Sequence, residues 1–126
     1  MIRVNIEDTG ITVSGHAQRL PGAPPGHNII CAAVSALTLT LIEGLEKVAG
    51  VEIDGPEAPG YVRIIWKDRL NDVGRALVST YVLGLQGVQG SYGEIEIVTA
   101  PRDAFIMSPR RAQIRRECSR TSKTEV

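Results

Sequence analysis

The chain has 126 residues, 43% hydrophobic and 22% charged, enough for one globular core and too few for two. Its formal net charge is zero, which excludes a strongly basic nucleic-acid binder as a whole, but residues 1–101 carry 7 Lys/Arg against 11 Asp/Glu and residues 102–126 carry 7 against 3. Aromatic residues are only 4%, so the core must be aliphatic, and surfaces that stack nucleic-acid bases are poorly supplied.

Ile2, Val4 and Ile6 alternate with polar residues, as do Ile11 and Val13, with Asp8-Thr9-Gly10 between them. This predicts a β-hairpin, with Ser14-Gly15-His16 ending its second strand. Residues 18–27 hold three prolines and two glycines, which forbid regular structure. Asn28 then reads as a helix N-cap, with Ile29 as the first helical residue. Ile30, Val34, Leu37, Leu41, Leu45 and Val48 recur at three- and four-residue spacing and predict a buried face, with Gly50 as the stop. Val51-Glu52-Ile53 reads as a short strand, 54–60 as a turn and Tyr61–Trp66 as a stronger strand. A second helix is predicted from Asn71 or Asp72 to about Leu85, with Val73, Leu77, Tyr81 and Leu85 on one face and Gly74 and Gly84 weakening it. A last strand begins near Glu94.

The order is β-β-α-β-β-α-β. It predicts a two-layer α+β fold, a mostly antiparallel sheet with two helices on one face. Residues 1–100 form the expected domain, and 101–126 a basic tail expected to be disordered. No apolar h-region opens the chain, and no apolar run is read as approaching a membrane span, so a cytoplasmic protein with reduced thiols is expected. Cys31 and Cys118 are too few for a disulfide scaffold, and Cys118 falls in the polar tail.

Cys31 is the residue with the clearest chemistry. Capped by Asn28, it is the third residue of its helix, near unpaired amides and the positive end of the dipole. Such a position favours the thiolate, the nucleophilic form of cysteine. His16, at the mouth of a strand, is the candidate base, and the Gly/Pro loop between them a candidate flap. The bland alternative is a small buried thiol beside a strand-ending histidine. His27 reads as a solvent-facing loop residue. A zinc site from His16, His27 and Cys31 lacks paired ligand spacing and a fourth ligand.

Gly15-His16-Ala17, a glycine-containing loop, and then Ile29-Ile30-Cys31-Ala32-Ala33-Val34-Ser35 resemble the signature of the ribosomal-processing cysteine protease family, Prp or YsxB-like. The passage Gly84–Ile97 also looks like the family's last helix-to-strand segment, and the resemblance covers about residues 1–99. It implies cytoplasmic, homodimeric endopeptidases that need no metal or organic cofactor. Their best-known substrate is a large-subunit ribosomal protein, whose N-terminal extension is removed after an aromatic-rich hydrophobic motif. Carried over, Cys31 is the nucleophile, His16 the general base and Ser35 a supporting residue one turn on. Gly22 and Gly26 fall in the substrate-gating loop. Many members have Asp where this chain has Asn28, which supplies no charge but is able to orient an imidazole by hydrogen bonding. Amides of Cys31 and a neighbour are the expected oxyanion donors. Two other readings stand beside this one: a protease of the same fold acting on a phage structural protein, and a non-catalytic module touching ribosomal RNA through the basic tail.

Overall fold

The computed structural model describes residues 1–99. The expected tail, Cys118 included, lies outside the described residues. Strands β1 (Ile2–Glu7) and β2 (Gly10–Gly15) form the expected hairpin, paired from Ile2 with Gly15 to Glu7 with Gly10. Two-residue hairpin turns usually take positive φ at a central position. Asp8 and Thr9 do not. Their turn is pinned from outside by Trp66, whose backbone N–H donates to the Thr9 carbonyl (3.0 Å) and whose indole Nε1 donates to the Asp8 carbonyl (2.9 Å).

Helix α1 (Ile29–Lys47) follows, capped by Asn28. Its buried residues are Ile30, Val34, Thr38, Leu41 and Leu45. Thr38 sits where the spacing put Leu37, and Val48 is 68% exposed beyond the helix end. By length and composition α1 is apolar enough to cross a membrane, with a mean hydropathy of 1.7 over its best window. That corrects the reading that no run approaches such a length: Ile, Val, Leu and Ala raise the mean hydropathy although Ser and Thr interrupt the run. Here the helix packs its apolar stripe into the core over the sheet.

Strands β3 (Ile53–Asp54) and β4 (Glu57–Ala58) both pair with β5 (Tyr61–Trp66). They keep one antiparallel register through the interruption: Ile53 faces Trp66, Asp54 faces Ile65, Glu57 faces Val62 and Ala58 faces Tyr61. The segment expected to be only a turn therefore carries half of an edge strand. The break falls at Gly55-Pro56. Proline has no amide to donate, and Gly55 at φ 138° leaves no room for a side chain against the Arg63 carbonyl.

Helix α2 (Asp72–Tyr92) is seven residues longer than the pattern predicts. Leu85 and Val88 continue the apolar face and carry the helix on through Gly87 and Gly90. It ends at Gly93, at φ 68°, where the Gln89 side chain donates to the Ile95 carbonyl (2.8 Å). Val73, expected inside, is exposed, and Gly74 is buried in its place against Leu70. Strand β6 (Ile95–Thr99) then joins β1 in parallel. The sheet order is β3-β5-β2-β1-β6, with β4 also on β5, so all pairings but β1–β6 are antiparallel. This is the expected α+β fold. Its core is aliphatic apart from Trp66 and Tyr81.

Candidate active site

The site is built where β2 ends, α1 begins and the β4–β5 turn closes over both. Gly15, the first residue of the Gly-His-Ala motif, stands at φ 91°. A Cβ there would collide with the Met1 carbonyl oxygen, so the position accepts only glycine. Its N–H donates to the Gly60 carbonyl (3.0 Å), and the Met1 nitrogen donates to the His16 carbonyl (2.7 Å). The backbone of His16 is thus held from two sides. Its imidazole is exposed, with its tip over Gly60, where a Cβ would collide with Nε2.

The loop from β2 to α1 is two successive tight turns. Leu20-Pro21-Gly22-Ala23 closes with the Ala23 N–H on the Leu20 carbonyl (3.0 Å). Pro24-Pro25-Gly26-His27 closes with the His27 N–H on the Pro24 carbonyl (3.1 Å). Gly22 and Gly26 are both at φ 82°, the third position of a type II turn, with proline before each. Each glycine is there for its backbone angle, since a Cβ at either would meet nothing within 4 Å. Neither lines the groove described below, and nor does His27.

Asn28 links the two halves of the site. Its Oδ1 accepts from the Cys31 N–H (3.0 Å), capping α1, and its Nδ2 donates to the Ala17 carbonyl (2.8 Å), the residue after His16. Both of these bonds go to backbone groups and neither to His16, so the expectation that Asn28 orients the imidazole by hydrogen bonding is not met. The same bond corrects the oxyanion assignment: the Cys31 amide already has Asn28 as its acceptor. An aspartate here could still cap the helix, but it could not donate to Ala17.

Cys31 is a partly buried free thiol in the first turn of α1. It shares with His16 the wall of one groove of about 580 Å³, with Ser35 one turn further on. Apolar side chains, among them Val13, Val34, Leu39 and Val62, make up most of the lining. Thr38 closes the floor. Its hydroxyl donates to the Val34 carbonyl (2.8 Å), so in the 2.9 Å bond between the two hydroxyls Tyr81 is the donor. Burial pushes the Tyr81 phenol up to about 12. Glu57, Gly60 and Tyr61 also line the groove. The sequence reading assigns Glu57 and Gly60 to a turn and Tyr61 to the start of a strand, and gives none of them a role in the site. Among the described residues no group of three or more His, Cys, Asp or Glu side chains is placed to hold a metal ion.

A groove pairing a helix-start cysteine with a strand-end histidine is what the resemblance leads one to expect, and residues 1–96 match the family model for cysteine protease Prp. The chain belongs to the Prp family of cysteine proteases. No curated protein matches it. Among solved structures, the ribosomal processing protease Prp from S. aureus with a covalently linked product peptide superposes with a TM-score of 0.66 at 22% identity, covering 79% of this chain and 97% of that one. The same S. aureus protease with a substrate peptide gives 0.62 at 22% identity and the same coverage. The protein SMU.848 from Streptococcus mutans gives 0.60 at 24% identity, covering 79% of this chain and 99% of that one. At these identities the structural likeness speaks for the Prp fold.

Proposed function

We propose that this chain is an endopeptidase with Cys31 as nucleophile and His16 as its acid and base. The Cys31 sulfur attacks the scissile carbonyl carbon, and the carbonyl oxygen takes the negative charge at the positive end of α1. His16, having taken the thiol proton, gives it to the leaving nitrogen. The C–N bond breaks and leaves a thioester on Cys31. His16 then draws a proton from water, the water oxygen attacks the thioester, and the C–S bond breaks to free the acid. Ser35 borders the thiol and helps seat the substrate. The paired Pro-Gly turns, with Gly22 and Gly26 at their corners, close over the bound segment.

The observation that carries this reading is the meeting of Cys31 and His16 on one mostly apolar groove, in a chain of a cysteine protease family. The apolar walls suit an extended hydrophobic peptide. The S. aureus relative is a ribosomal processing protease that takes a substrate peptide, and we assign this chain a client of the same kind: a large-subunit ribosomal protein with an N-terminal extension. The same reading makes it a cytoplasmic homodimer, and sedimentation of the purified protein checks the dimer. The decisive test offers the protein a peptide spanning the host's ribosomal extension and follows cleavage by mass spectrometry. Wild type cuts it, and Cys31→Ala and His16→Ala each lower kcat/KM by about 100-fold or more. A peptide left intact by the wild type removes the ribosomal client.

A further inference from the structure

The groove holds one acidic side chain. Glu57 lies on β4, in an otherwise largely apolar lining shared with Cys31 and His16. Residues paired across an antiparallel ladder share a face, and Glu57 pairs with Val62. Val62 lies on the same face of β5 as Ile64 and Trp66, both buried in the core. The carboxylate is therefore on the helix side of the sheet, the side on which the cysteine stands. It remains exposed at the rim, and among the described residues no cationic side chain pairs with it.

An inward charge on an edge strand can serve only to deter pairing with another sheet. Its place in the lining of a reactive groove gives it a second use. We propose that Glu57 selects substrates carrying a lysine or arginine side chain close to the scissile bond, accepting that charge at the rim while the apolar walls take the neighbouring residues. This rests on the groove being a peptide site. The aliphatic stem of Lys or Arg runs along the apolar wall, and only its head has to reach the carboxylate. A charge pair at an exposed rim is weak and sensitive to salt, which supplies the readout.

The test uses Cys31→Ala protein, so that binding is read without cleavage. The probes are short capped fluorescent peptides of Ala, Leu and Phe, with one Lys moved through every position, each paired with a norleucine counterpart of similar length. At one position the Lys peptide binds about fivefold tighter at low ionic strength, and the difference vanishes at high salt. Glu57→Gln abolishes the difference, Glu57→Lys reverses it in favour of Glu peptides, and Glu52→Gln leaves it in place. Circular dichroism melts confirm that each variant is folded. Peptides that bind with no preference for Lys, or with a preference that survives Glu57→Gln, overturn this inference alone. A set of which no member binds overturns it together with the peptide-site reading.

Discussion

Asn28 shows how much one amide decides. It caps α1 under the nucleophile and ties down the residue that follows the base. Asn28→Ala loses both bonds, and urea unfolding should show a loss of about 1–2 kcal/mol. The cap was legible in the sequence because Asn precedes a helical apolar pattern. The bond to Ala17 was not, because it joins residues that only the fold brings together. Gly60 was missed for a similar reason: nothing in Ala-Pro-Gly-Tyr says that an imidazole will rest on its Cα. At φ 72° with His16 above it, Gly60 has no room for a Cβ. Gly60→Ala and Gly60→Asn should both lower the rate of peptide cleavage, Asn being the better tolerated at positive φ. In a His16→Ala background neither should slow alkylation of Cys31 further, which separates displacement of the imidazole from general damage.

At the scale of elements, periodicity located both helices and the main strands, since apolar spacing is set by the geometry of the element itself. It erred where tertiary contacts outweigh local preference. Thr38 is buried because Val34 and Tyr81 satisfy its hydroxyl, a pairing of two helices that spacing does not reveal. Helix α2 runs through Gly87 and Gly90 because its other face is already anchored. A Cβ at Gly87 meets nothing within 4 Å, so Gly87→Ala should stabilise the protein by about 1 kcal/mol in thermal or urea unfolding. The helix seam also carries a pH dependence. The Tyr81 phenol is raised from 10.0 to about 12, so the folded state holds that proton more tightly than the unfolded chain. The stability this contributes is complete below the unfolded value and is lost as pH climbs towards 12. Denaturant unfolding across that range should show the fall in wild type and a smaller one in Tyr81→Phe.

At the scale of the whole molecule, the sheet sets the distance between the two reactive groups. The strand order puts β2 between β1 and β5, so the end of β2 emerges beside the turn leading into β5, and the Pro-Gly loop carries the chain back to start α1 over the same edge. The helix count was legible, and so were five of the six strands, but β4 was read as part of a turn, and the strand order depends on long-range pairing that no local pattern records. Leu45 is fully buried at the heart of this arrangement. Leu45→Ala should cost about 2–5 kcal/mol by urea unfolding, through lost burial and the cavity left behind. The most direct test of the account is the rate at which iodoacetamide labels Cys31, read by mass spectrometry in a Cys118→Ser background with and without His16→Ala. The account predicts fast labelling that slows sharply once the imidazole is removed. Equal rates in the two proteins would mean that His16 does not act on the sulfur, and would contradict it.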